Sequence, residues 1–194
     1  MTNYILYIPG LGDGYDSFRQ RALRFWALYS VNARLVPMNW YGIETYDDQF
    51  QRSSDIILSL AKNGARISLV GESAGASMAI NLFAAHPEIT SLVTIAGVNQ
   101  ATTPVAPRTL RKGPSFEESR RRVGDSLVML SQARRRNIHT VSALFDSVVM
   151  ARYSRMNGAN NHRILAIGHF MTIAICLTVY SWYIIYLTRK TTSV

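Results

Sequence analysis

Residues 67–77, Ile-Ser-Leu-Val-Gly-Glu-Ser-Ala-Gly-Ala-Ser, constrain the chain more than any other stretch. A short apolar run stops at Gly71, and Ser73 follows. Met78, Leu82 and Ala85 then recur at helical spacing, with Ile80 and Phe83 beside them. The stretch reads as strand, sharp turn, helix. Gly71 and Gly75 carry no Cβ, so strand and helix can approach closely. A serine at the apex projects its Oγ clear of the sheet edge, and the helix N-terminus behind it offers unpaired N–H groups where negative charge would form. The pattern G-x-S-x-G is short enough to arise by chance. A glycine-rich turn that merely packs a helix on a sheet would share it, so the rest of the chain must decide.

That rest repeats one theme. Strand-like runs at 4–8, 33–37, 92–96, 138–145 and 163–167 join the strand before Ser73, and helical patterns separate them. The helix over 16–29 is expected to turn Phe18, Ala22, Phe25, Trp26 and Tyr29 inward. Another spans 48–62 and stops at Asn63-Gly64. A third covers 115–134, with Phe116, Val123, Leu127 and Leu130 as its apolar face. Residues 147–162 read as loop towards their end, through Asn157-Gly158-Ala159-Asn160-Asn161. Strands alternating with helices predict an α/β fold: a doubly wound, all-parallel six-stranded sheet with helices on both faces. A chain that runs out to one edge and back gives the order 2-1-3-4-5-6. The 194 residues read as a single domain. Ligands bind such sheets at the switch point, here between strands one and three, outside the carboxyl ends of the strands. Two loops meet there: Pro9-Gly10-Leu11-Gly12-Asp13-Gly14, whose glycines let backbone approach a ligand, and the turn that carries Ser73.

A nucleophilic serine needs a base, and the base needs an orienting carboxylate. Of the four histidines, His86 ends the helix after Ser73, on the far side from it. His139 begins a strand and His162 precedes one, both at the wrong edge. His169 follows a strand at the carboxyl edge. Asp146 holds the equivalent place after strand five; Asp13, in the glycine loop, is the second choice, and Glu72 points away from the turn. No metal-ligand cluster is evident, and neither a metal nor a cofactor is expected.

The order Ser73, Asp146, His169 is that of the α/β-hydrolase superfamily. Gly71-Glu72-Ser73-Ala74-Gly75, Leu144-Phe145-Asp146-Ser147-Val148-Val149 and Ile167-Gly168-His169-Phe170 carry the resemblance, which runs from Tyr4 to the last helix. The chain resembles a minimal, esterase- or lipase-like member without the two leading antiparallel strands. The resemblance implies Ser73 as nucleophile, His169 as base and then acid, and Asp146 as its orienting group. It also implies an oxyanion hole from the backbone amides of Ala74 and Leu11, with Gly10 and Gly12 in the substrate loop. Pro9-Gly10 stands where this family often has His-Gly, which leaves open how the loop is braced. The implied reaction is hydrolysis of a small-molecule carboxylic ester or thioester. A membrane-associated lipid esterase or transacylase, and a non-catalytic module with the same fold, are the alternatives.

Net charge is +9, and between 101 and 136 nine cations face three acids. This short basic segment, 99–134, lies where the family commonly inserts a lid. It reads either as a solvated helix face or as a surface for anionic lipid; no aromatic platform interleaves with the arginines, so nucleic acid is not expected. One cysteine, Cys176, excludes an internal disulfide framework. With no basic, apolar leader evident, a cytoplasmic location is expected. The other reading is membrane association through 170–187, a strongly apolar helix of eighteen residues without a charge. Because His169 must stay beside Ser73, a buried or partner-covered helix is the favoured expectation. Oligomeric state is not legible.

Overall fold

The computed structural model describes residues 2–191, apart from the side chain of Asp13. Six strands form one sheet: β1 (Asn3–Ile8), β2 (Asn32–Leu35), β3 (Arg66–Glu72), β4 (Ile89–Ile95), β5 (Ile138–Phe145) and β6 (Asn160–Ile167). Every neighbouring pair is parallel, and the order is β2-β1-β3-β4-β5-β6, as the alternation predicts.

Central strands of such a sheet bury both faces, which is why they read as continuous apolar runs. Leu6, Ile8, Ile67, Leu69 and Leu92 point to one side. There they meet α2 (Tyr46–Lys62), α3 (Gly75–Ala85) and α5 (Pro114–Met129) through Ile57, Met78, Phe83, Phe116 and Val123. Ile5, Tyr7, Val70, Val93 and Val141 point to the other side. There they pack on α1 (Asp16–Phe25), α8 (His169–Leu177) and α9 (Ser181–Arg189). Three short helices complete the chain: α4 (Pro107–Lys112), α6 (Gln132–Arg135) and α7 (Ala151–Ser154).

Three expectations are corrected. Helix α1 buries Arg19, Ala22 and Leu23, while Phe18 and Phe25 are exposed. Its inward face is rotated from the all-apolar stripe because a buried carboxylate, Glu72, draws Arg19 inside. Asn160 and Asn161 belong to β6 rather than to a loop; the Asn161 amide group bonds Met156, Ala159 and Thr140 and so fixes the strand's entry.

Third, the apolar segment 170–187 is two helices, not one. They meet at Thr178–Tyr180 with a bend of 73°, and no single helix among the described residues is long and apolar enough to cross a membrane. The Trp26 indole N–H donates to Leu177 O at 3.0 Å, occupying a carbonyl that a continuing helix would use, and the Tyr180 amide turns back to Ile175 O at 2.8 Å. The bend lets both helices lay Ile173, Cys176, Leu177, Ile184 and Leu187 on the sheet. Cys176 is buried, and that burial pushes its thiol up to about 12, so it is unreactive at neutral pH.

Part of the arginine-rich segment is paired within the fold, while Arg108, Arg111, Lys112, Arg121 and Arg136 are exposed. Arg120 pairs with Glu117, Arg121 with Glu118, and Arg122 with both Glu118 and Asp47. Arg134 bonds the Phe83 and His86 carbonyls that end α3.

Candidate active site

Ser73 sits between the last residue of β3 and the first turn of α3. Its φ is +48°, a left-handed conformation that costs a non-glycine residue about 1–2 kcal/mol. Neighbouring backbone holds it there: Ser73 N donates to Ile95 O at 2.9 Å, and Val98 N donates to Ser73 O at 2.9 Å. The flanking glycines are steric necessities. A Cβ on Gly71 would lie 2.8 Å from Ala76 Cα, and one on Gly75 would overlap the Ile8 and Pro9 carbonyls. A Cβ on Gly10 would stand 2.8 Å from Ser73 Cβ, so the glycine loop presses directly on the turn.

The three predicted side chains come together as one hydrogen-bonded chain. His169 Nε2 lies 2.8 Å from Ser73 Oγ, and His169 Nδ1 lies 2.8 Å from Asp146 Oδ2. Asp146 directly follows β5 and His169 opens α8, so the sheet's carboxyl edge supplies all three. The backbone delivers the imidazole through Gly168, at φ +90°, whose amide donates to Phe145 O at 2.8 Å. Burial raises the Asp146 pKa, but hydrogen bonds from His169 and from the Val149 and Val148 amides outweigh it and hold the carboxyl below its ordinary value. An ionised Asp146 can only accept, so Nδ1 of His169 carries the proton and Nε2 is left to accept from the serine hydroxyl. The alternative acid, Asp13, lies in a 3-10 turn, Asp13–Tyr15, and its side chain is outside the described part.

Leu11 and Ala74 sit where the two loops meet. Among the described residues, neither backbone amide has a hydrogen-bond acceptor. Beside them opens a cavity of about 230 Å³ lined by Leu11, Ser73, Val98, Val105, Phe116 and Val149 among others, with no charged side chain among the described residues in its wall. Thr103, Pro104, Val105, Ala106 and Thr109 line it as well, so the basic segment contributes uncharged residues to the site, and none of its arginines lines the cavity. Among the described residues, no group of three or more His, Cys, Asp or Glu side chains could hold a metal ion.

The other histidines fall where their strand positions put them. His86 caps the end of α3 and bonds Ser54 Oγ at 2.8 Å. His139 and His162 pair at the amino edge, Nδ1 to Nε2 at 3.0 Å. What sequence reasoning missed is Glu72. It does point away from Ser73, but into a fully buried network with Tyr7, Arg19 and Gly10. An acidic residue beside a serine gives no warning of burial; the one available signal was Arg19, three residues from Asp16 on a face that should have been apolar.

No family model matches the sequence, and no curated protein matches it. Solved structures do match over nearly the whole chain. A monoacylglycerol lipase from Paleococcus ferrophilus superposes with a TM-score of 0.66 at 11% identity, covering 96% of this chain and 94% of its own. Carboxyl esterase 2 of Tuber melanosporum gives 0.68 at 14%, covering 97% and 77%. One of the metagenome-derived lipolytic enzymes LipS and LipT gives 0.67 at 12%, covering 97% and 94%. Identities this low speak to architecture, which agrees with the strand order and with the turn at Ser73. The chain has the α/β-hydrolase fold.

Proposed function

We propose that this protein is a serine hydrolase that cleaves a carboxylic ester or thioester through an acyl-enzyme on Ser73. The observation that carries the reading is the continuous chain from Asp146 through His169 to a serine held at positive φ. His169 Nε2 takes the Oγ proton as Oγ adds to the substrate carbonyl carbon. The Leu11 and Ala74 amides, which have no acceptor among the described residues, receive the oxyanion that forms. The tetrahedral intermediate collapses by breaking the bond to the alcohol or thiol, which leaves with the proton from His169. Water then repeats the sequence on the acyl-enzyme: His169 accepts its proton, and Ser73 leaves with that proton as the carboxylic acid is released.

The uncharged cavity beside Ser73 supports an uncharged acyl group. Its 230 Å³ equals about eight water molecules of liquid volume, enough for a short to medium chain. An ester rather than an amide is preferred here because the neighbours in fold are named as lipolytic enzymes and esterases. The test is a panel of p-nitrophenyl acetate, butyrate, octanoate and palmitate. Hydrolysis should peak at butyrate or octanoate and vanish in Ser73→Ala. A folded wild-type protein that turns over none of the four, or a Ser73→Ala variant that keeps the rate, would contradict the reading.

A further inference from the structure

The glycine loop is tied at both ends to one buried ion pair. Glu72, which is 0% exposed, is the last residue of β3, and Ser73 follows it directly. Its Oε1 accepts from the Gly10 amide at 3.1 Å and from Arg19 Nε at 2.9 Å, and its Oε2 accepts from the Tyr7 hydroxyl. Arg19, 4% exposed, also donates through Nη1 to Gly12 O at 2.8 Å and to Asp16 Oδ1 at 2.7 Å. Between the two anchored residues lies Leu11, whose amide is unpaired among the described residues. Trp40 adds a further strap, from its indole N–H to Pro9 O at 3.0 Å.

A buried ion pair is an odd choice if stability alone is at stake, because well-packed apolar residues of similar volume are commonly as good or better. An apolar pair cannot, however, accept from Gly10 N–H or donate to Gly12 C=O. Oxyanion donors must lie within about 2.7–3.1 Å of the position where charge develops, yet here the two donors come from separate loops. Glu72 is one residue from the nucleophile and bonded to the residue before Leu11, so it fixes one loop by reference to the other. Arg19 closes the far end of the loop and cancels a carboxylate that would otherwise oppose an oxyanion nearby.

Resting on the reading of Ser73 as nucleophile, we propose that Glu72 and Arg19 are positioning residues that hold the Leu11 amide in place as an oxyanion donor. They take the bracing role that the Pro9-Gly10 start of the loop leaves unfilled.

The experiment compares wild type, Glu72→Gln, and the apolar triple variant Glu72→Leu/Arg19→Met/Tyr7→Phe, which removes both charges and the hydroxyl together, so that no charge is left buried and unpaired, and takes the brace from the Gly10 N–H and the Gly12 C=O. Four quantities are read: amide hydrogen exchange in the peptide containing Gly10–Gly12, kcat and KM for the preferred p-nitrophenyl ester, inhibition by a trifluoromethyl ketone whose adduct on serine carries an oxyanion, and the pH profile of turnover. In the triple variant the loop amides should exchange at least about tenfold faster. Its kcat should fall by about 10²–10³-fold, the usual effect of losing one oxyanion donor, with KM near that of wild type. The ketone should weaken by the same factor. The shape of the pH profile should not move, because neither side chain bonds His169 or Asp146. Glu72→Gln keeps an acceptor for Gly10 and should lose only about tenfold.

Unchanged loop exchange in the triple variant, or faster exchange with unchanged kcat, overturns the proposal. So does a loss of turnover that alters KM and the pH profile together, which a general structural lesion would produce. If the triple variant does not fold, Glu72→Gln decides, and wild-type kcat there overturns the proposal. Failure of the underlying reading has its own signature: ester hydrolysis that survives Ser73→Ala removes the reaction the loop serves, whatever the exchange rates report.

Discussion

Two imidazole chains stand at opposite edges of the same parallel sheet. At the carboxyl edge, Asp146, His169 and Ser73 are joined by two contacts of 2.8 Å. At the amino edge, the Tyr183 hydroxyl meets His162 Nδ1 at 2.9 Å, His162 Nε2 meets His139 Nδ1 at 3.0 Å, and His139 Nε2 meets Lys190 O at 3.2 Å. The second chain has one self-consistent direction. A carbonyl only accepts, so His139 Nε2 donates to Lys190; His139 Nδ1 then accepts from His162, and His162 accepts from Tyr183. Both chains satisfy their imidazoles equally well. They differ at their ends. One begins on a depressed carboxylate and finishes on a strained, partly exposed hydroxyl beside a cavity and two amides that have no acceptor among the described residues. The other begins on a phenol, whose pKa burial raises, and finishes on a backbone carbonyl that has no chemistry to perform. A well-ordered histidine chain is therefore not in itself a reactive site; what terminates it decides.

The contrast breaks first, and by the largest margin, under alanine substitution. His169→Ala should lower kcat by about 10⁴–10⁶-fold, the range seen when a serine hydrolase loses its base, without a matching loss of stability. His139→Ala and His162→Ala should leave turnover near that of the parent. Steady-state kinetics on the preferred ester checks both halves, and a large loss of kcat in either amino-edge variant would dissolve the distinction. Asp146→Asn comes next, at about 10⁴-fold, because an amide can favour the wrong tautomer of His169. A near-normal rate would hand the orienting role to another acid.

Stability should report the reverse pattern. His162→Ala removes the middle of the amino-edge chain and leaves groups on His139 and Tyr183 without partners, so urea denaturation should register a loss of about 1–3 kcal/mol. Acid should act on the same chain. Burial holds His139 below the ordinary imidazole range, against the opposing hydrogen bond to the Lys190 carbonyl; burial, with the charge of Lys190, does so for His162, and burial does so for His86. The unfolded chain then binds protons that the folded chain excludes. Stability is complete above the ordinary imidazole value of about 6.5 and is lost as pH falls through and below it. Asp146, also depressed, adds a loss only further down, as pH falls below the ordinary carboxylate value. The urea midpoint should therefore drop between pH 7.5 and 5.5, and His139→Gln/His162→Gln should flatten that drop. A wild-type midpoint that does not move with pH over this interval would contradict the assignment.

Much of this was legible in the order of residues. Parallel strands buried on both faces announce themselves as apolar runs, and each candidate side chain follows a strand directly, so Ser73, Asp146 and His169 could be placed at one edge before any coordinates. The parts that could not be read depend on contacts remote in sequence. Arg19 is inside only because Glu72, 53 residues away, lies beneath it. The apolar segment 170–187 breaks with no glycine or proline to mark the place; the indole of Trp26, 151 residues away, takes the carbonyl at the bend. The arginine run reads either as a solvated helix face or as a surface for anionic lipid; Glu117 and Glu118 sit three and four residues from Arg120, Arg121 and Arg122 on the same helix, so their pairing was readable as spacing.

The most direct test of the central claim is covalent labelling by a fluorophosphonate, read by intact mass and peptide mapping across the four histidine-to-alanine variants. The account predicts a single adduct on Ser73 in wild type, His86→Ala, His139→Ala and His162→Ala, and its disappearance in His169→Ala and Ser73→Ala. Labelling of another residue, or labelling of Ser73 at the wild-type rate in His169→Ala, would contradict it.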